Sequence, residues 1–154
     1  MHQRIRQNIR MLIDKIHEIP SDELSFKASP KQWSKKEILG HLIDSALNNL
    51  KRFLAVLNTY DDYRVTSYLQ DYLVKVNRYQ EADVNHLIGL WQALNMQISS
   101  VLEEVLPKKL EQIVFIHDNV KVTFEWLIQD YINHMEHHLK QIFESTIQHP
   151  MYHI

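Results

Sequence analysis

Asp130-Tyr131-Ile132-Asn133-His134-Met135-Glu136-His137-His138-Leu139 is the stretch from which the rest of the chain can be read. Tyr131, Ile132, Met135 and Leu139 recur at helical spacing, so one side of a helix is apolar here. Three histidines fall within five positions. His134 and His138 are four residues apart, which on an α-helix puts both rings on one face, one turn from each other. Two imidazoles so arranged can grip one metal ion without any special loop conformation. His137 is rotated away and is a poorer partner for the same ion. The pattern continues outward through Phe124, Leu127 and Ile128 on one side and Ile142 and Phe143 on the other, predicting a helix from near Thr123 to about Ile147. Leu127, Tyr131, His134, His138 and Gln141 make a ridge on its inward side, with Asp130 one turn before His134. The tail His149-Pro150-Met151-Tyr152-His153-Ile154 is expected to fray.

Three further helices follow from the same periodicity. Ile5, Ile9, Leu12, Ile13 and Ile16 form an apolar stripe over residues 3–17, closed by Pro20, which pushes the preceding residue out of the helical region. A linker over 18–33 leads to Trp33-Ser34-Lys35-Lys36-Glu37-Ile38. There Ser34 and Glu37 have the spacing of a capping box, and Trp33 and Ile38 occupy the hydrophobic-staple positions. The helix so started runs to about Asn58 with Leu39, Leu42, Ala46, Leu50, Phe53 and Leu57 inward. His41 and Asp44 lie beside that stripe, and Ser45, Asn48 and Arg52 continue a polar flank. A helix is predicted from about Glu81 to Leu106, in which Val84 through Val105 keep the helical period for about six turns, roughly 36 Å, and Pro107 is expected to stop it.

The connections carry information too. Residues 59–80 are rich in tyrosine and aspartate, with a short helix expected within Ser67–Val76. They either fold over a site or, more plainly, cover the open end of a bundle with their rings. Ile113-Val114-Phe115-Ile116 and Val120-Lys121-Val122 flank His117-Asp118-Asn119, which reads as a small hairpin with a solvated His117 at its tip. The result is a single all-α domain over 1–154, a four-helix bundle with long crossover connections and a small hairpin before the last helix. Bundles build metal sites on facing inner surfaces. His41 and His86 are the histidines well inside the other predicted bundle helices, His17 reading as a surface residue at its helix end; His86 sits on the first turn of its helix, and His41 is the candidate third ligand.

Composition narrows the function. The chain has 154 residues, 45% hydrophobic and 23% charged, with 2 Gly, 4 Pro and no Cys. Few turn formers favour long helices. Without cysteine, any metal must be held by nitrogen or oxygen. A net charge of −2 leaves no basic footprint for nucleic acid. Neither a long apolar run nor a signal-peptide core is evident, so no membrane association and a cytoplasmic location are expected.

Trp33-Ser34-x-x-Glu37-Ile38-Leu39-Gly40-His41-Leu42-Ile43-Asp44-Ser45, taken with His134-x-x-x-His138-Leu139-x-Gln141-Ile142, resembles the DinB-like superfamily, in the branch of YfiT-type proteins and bacillithiol S-transferases. The third helix, with Leu87, Leu90, Trp91, Leu94 and Asn95, agrees with it. The resemblance implies a four-helix bundle whose divalent metal is held by three histidines, which by position are His41, His134 and His138. Where relatives often carry a Tyr-Asp-x-x-x-Trp-like pattern, this chain reads Tyr68-Leu69-Gln70-Asp71-Tyr72, a departure that bears on substrate preference more than on metal binding.

Three neutral imidazoles leave a coordination position open, as catalytic rather than structural sites do. Zinc or nickel suits such ligands. The leading expectation is transfer of a low-molecular-weight thiol to an electrophilic small molecule, with Asp44 and Asp130 as candidate supports of the histidine rings. The alternatives are a metal-dependent hydrolase using a bound hydroxide, and a non-catalytic metal- or ligand-binding bundle. The long helices also offer a face for a homodimer.

Overall fold

The computed structural model describes residues 1–144. The expected tail, and the expected extension of the last helix to Ile147, lie outside the described residues. Four long helices dominate: α1 (His2–Ile16), α3 (Lys35–Leu57), α5 (Val84–Glu103) and α7 (Phe124–Phe143). Short helices α2 (Ser21–Ser25), α4 (Gln70–Val76) and α6 (Pro107–Leu110) lie in the connections. α1 and α3 each pack against both α5 and α7, so the order around the bundle is α1–α5–α3–α7. Sequence neighbours among the long helices are therefore diagonal for the pairs α1/α3 and α5/α7. The long connections over the bundle ends follow from that.

The periodicity predicted the core well. Leu12, Phe53, Trp91, Ile98, Phe124, Ile132 and Met135 are fully buried. Burying a large apolar side chain contributes about 1.5–3 kcal/mol, and these residues come from all four long helices. Leu50 and Leu57 are only partly buried, while Ile43 and Val56 take the inner positions on α3. Polar residues also enter the core. Tyr131 donates to Asn95 Oδ1 at 2.5 Å, and the Asn95 amide donates to the Trp91 carbonyl at 2.9 Å.

The start of α3 forms as its sequence demands. Ser34 Oγ accepts from the Glu37 N–H at 3.1 Å, and Glu37 Oε2 accepts from the Ser34 N–H at 2.9 Å. Ser34 in turn donates to Gln80 Oε1 at 2.5 Å, and Gln80 donates to the Ser25 carbonyl at 2.8 Å. The capping box therefore also fastens the segment 79–81 to the head of α3. On α1, Arg4 reaches Glu136 of α7 through two bonds of 3.2 and 2.7 Å, which ties these helices together beside the histidine stretch.

Two boundaries differ from expectation. α5 ends at Glu103, and Pro107 opens α6 as its first residue. Its missing N–H would have had no intrahelical partner there, so proline starts the turn rather than stopping the helix. The hairpin expected before α7 is β2 (Ile113–Phe115) against antiparallel β3 (Lys121–Thr123), but β1 (Tyr63–Arg64) adds to β2 in parallel. A two-residue strand has no readable alternation, so β1 is invisible in sequence. At the turn, Asp118 and Asn119 have φ of 52° and 61°. Short polar side chains tolerate this left-handed region better than most. The sheet ties the α3–α5 connection to the strand pair that feeds α7.

Candidate metal centre

His41 sits two turns into α3, and the capping box fixes where that helix begins. His134 and His138 sit one turn apart on the face of α7 that packs against α3. The fold brings the three rings together. Ring centroids are separated by 5.0 Å (His41–His134), 4.7 Å (His41–His138) and 4.5 Å (His134–His138). One ring nitrogen from each lies within 4.8 Å of the others. His41 and His138 are buried and His134 is partly exposed. The Nε2 atoms of His41 and His134 approach to 3.1 Å. Ligand nitrogens about 2.0–2.1 Å from a tetrahedral zinc ion sit roughly 3.3 Å apart, so this pair is spaced as such a site needs. The donor set is all nitrogen, which suits a transition-metal dication.

Neighbouring side chains set the rings. Gln141 Oε1 lies 2.7 Å from His138 Nδ1. An amide oxygen only accepts, so Nδ1 carries the proton and Nε2 keeps its lone pair. The Gln141 NH2 in turn donates to His137 Nε2 at 3.1 Å. His137, exposed and outside the cluster, thus fixes the amide that fixes His138. The hydroxyl of Ser45 is 3.5 Å from His134 Nδ1. The Trp33 ring, 4.8 Å from that of His41, packs against it in addition to its place in the staple. In sequence, Gln141 stood on the inward ridge of the last helix and Ser45 on the polar flank of α3, both within the quoted motifs and neither assigned a role. An i, i+3 glutamine after a candidate ligand histidine is the signal that could have singled out Gln141.

Asp44 is hydrogen-bonded to the 77–79 segment, and Asp130 lies in the field of Arg52. Asp44 Oδ1 accepts from the Tyr79 hydroxyl at 2.7 Å and from Asn77 at 3.0 Å. Burial pushes its carboxyl above the ordinary value, and those two hydrogen bonds pull partly back. The same burial, with the Asp44 contact, raises the Tyr79 phenol. Tyr79 reaches Asp44 by lying across Gly40, where any Cβ would overlap its ring. Asp130 is also raised by burial, countered by the charge of Arg52.

A cleft of about 300 Å³ opens beside the cluster, with His134 in its wall. α3 contributes Ser45, Asn49 and Arg52, and α7 contributes Asp130 and Tyr131. The segment Ser67–Asp71 forms another wall. The tyrosine-rich connection therefore borders the site and does not merely cover a bundle end. His86 and His117 are exposed and apart from the cluster, as expected.

The sequence profile of the DinB superfamily matches residues 2–142. None of the curated proteins matches the chain in sequence. Among solved structures, the chain is similar to YfiT from Bacillus subtilis, described as "a probable metal-dependent hydrolase with an unusual four-helix bundle topology". The TM-score is 0.81 at 19% identity, over 92% of this chain and 81% of that one. At that identity the likeness speaks to the fold, which it shares. The profile match covers nearly the whole length, including both histidine-bearing helices, and the chain belongs to the DinB superfamily.

Proposed function

We propose that this protein is a metal-dependent enzyme that joins a low-molecular-weight thiol to an electrophilic small molecule, with a divalent ion, zinc or nickel, held by His41, His134 and His138. The observation that carries the reading is the convergence of three ring nitrogens from two helices at the edge of an open cleft. A dication bound there supplies Lewis acidity, which lowers the pKa of a thiol or water and yields a nucleophile near neutral pH.

The chain's own side chains do the rest. Gln141 holds His138 in the tautomer whose Nε2 is available for coordination. Ser45 and Trp33 steady the other two rings. The buried side of the cluster excludes water, and the partly exposed His134 faces the cleft where a substrate would lie. Holding the substrate there converts an encounter in solution into a reaction between neighbours. The absence of cysteine means that no protein thiol competes for the ion or the electrophile.

Hydrolysis is the second reading, favoured by the description of YfiT. One assay separates the two. The metal-loaded protein is given an aryl halide or an epoxide with a panel of thiols. Thiol-dependent adduct formation, lost in His41→Ala, supports transfer. Turnover of esters or amides without thiol supports hydrolysis and overturns transfer. In either case, activity at pH 5 equal to that at pH 7.5 would contradict imidazole ligation, because the ligands must be unprotonated.

A further inference from the structure

The cleft carries two charges of opposite sign that lie in each other's field without a direct ion pair. Arg52 enters from α3 and Asp130 from α7, and both line it. Neither belongs to an ion pair among the described residues. The guanidinium is nonetheless fixed in place. Its Nη2 donates to the Thr66 carbonyl at 2.7 Å, its Nη1 reaches Asn49 Oδ1 at 3.4 Å, and its Cζ lies 5.6 Å from the centre of the Tyr68 ring. Arginine has five N–H donors in a rigid fork, so these two bonds leave three for a ligand. The Asp130 carboxylate is partly buried and lies in the field of Arg52. Gln70, on the wall formed by the connection, has an Oε1 without a hydrogen-bond partner among the described residues.

Charges that are partly buried and lack a direct counter-ion are costly unless something completes them. Here a donor fork and an acceptor carboxylate stand on neighbouring helices and line one cleft. The cleft, about 300 Å³, is at the lower end of ligand sites, which run from roughly 300 to 1,000 Å³. It has room for a molecule on the scale of an amino acid or dipeptide. His134 on the same wall places the far end of such a molecule at the histidine cluster.

We propose that this cleft recognises a small zwitterion of the α-amino-acid type, its carboxylate held by Arg52 and its ammonium by Asp130. The proposal rests on the reading of the cleft as the substrate side of the histidine cluster, and it names the class to which the thiol substrate belongs. The planar guanidinium matches a carboxylate in two parallel bonds, which an ammonium in its place would not do. The aspartate rejects a second carboxylate at the other end. Thiols that carry only one of the two charges are therefore poor substrates.

The test uses three thioethers, so that no thiolate chemistry intrudes: S-methyl-L-cysteine, S-methylcysteamine (no carboxylate) and S-methylmercaptopropionate (no ammonium). Binding to the full-length protein as purified, with and without EDTA, is measured by calorimetry. S-methyl-L-cysteine should bind about 10- to 100-fold more tightly than either truncated probe, the effect of one charge-assisted hydrogen-bonded contact. Arg52→Gln should remove the preference over S-methylcysteamine and keep that over S-methylmercaptopropionate; Asp130→Asn should do the reverse. Arg52→Lys, which retains the charge, should keep part of the preference, which a folding defect would not. Equal binding of the three probes, no binding of S-methyl-L-cysteine, or preferences that survive both substitutions overturn the proposal. Zwitterion selectivity in a protein that binds no metal would support this site and sink the metal-enzyme reading, so the two failures are distinct.

Discussion

Alanine at Gly40 and alanine at Gly89 should change stability in opposite directions, although both glycines lie inside long helices. Replacing glycine by alanine in a helix interior contributes about 0.8–1.0 kcal/mol through backbone entropy. At Gly89 an added Cβ meets nothing within 4 Å, so the whole gain should be seen. At Gly40 the Cβ would overlap Tyr79 Cγ and Cδ2 and lie 2.6 Å from Tyr79 Cβ. A rotamer change cannot move Cβ, so the segment 79–81 must withdraw. Withdrawal lengthens the 2.7 Å bond from the Tyr79 hydroxyl to Asp44. A hydrogen bond to a charged group contributes about 1.5–3 kcal/mol, and overpacking adds about 1–3 kcal/mol. After the helix gain is subtracted, Gly40→Ala should lose about 2–5 kcal/mol. Urea denaturation followed by circular dichroism measures both variants. In a Tyr79→Gly background, which removes the Cβ as well as the ring, the Gly40→Ala penalty should vanish. A Gly40→Ala protein as stable as wild type, or a penalty that persists without Tyr79, would refute the account of Tyr79 as a strap across α3.

Other outcomes follow from the supports of the site. Gln141→Ala should weaken zinc affinity about 10- to 100-fold in chelator competition, as loss of a ligand's hydrogen-bonded support does, while Gln141→Glu, which still accepts from His138 Nδ1, should retain more; unchanged affinity in the alanine variant would dismiss that role. Asp44 has a folded-state pKa raised by burial above its ordinary 3.8. Between that value and the raised one the native chain therefore binds more protons than the unfolded chain, so this group's contribution is fullest below 3.8 and declines as pH rises through the raised value. Asp44→Asn does not titrate, so melting temperatures should shift in the variant's favour relative to wild type as pH rises across that window. A relative shift toward wild type would contradict the burial argument.

How much of this was legible beforehand depends on the range over which each feature is encoded. α3 and α7 were readable because the Ser34–Glu37 box and the apolar stripes of Phe53 and Ile132 are local patterns with one physical solution. His134 and His138 were readable as a pair for the same reason, since four residues on a helix fix a face. His41 is 93 positions from His134, and only the bundle brings their nitrogens to 3.1 Å. Gly40 was quoted as part of a motif, yet its reason is a tyrosine 39 positions on, which no helical pattern encodes. Arg52 was visible on the polar flank of α3, but its place beside Asp130 in one cleft depends on how α7 and the 67–71 segment close around it. Pro107 misled because proline both ends and begins helices, and the choice depends on residues that follow it.

The central claim is that His41, His134 and His138 hold one dication between α3 and α7. The most direct test is metal stoichiometry after loading with zinc or nickel and gel filtration, for wild type and for each histidine replaced by alanine. One ion per chain in wild type, sharply weakened in all three variants and retained in His137→Ala, is the predicted result. A wild-type chain that leaves the column metal-free, or a His41→Ala, His134→Ala or His138→Ala variant that still carries a full equivalent, would contradict it.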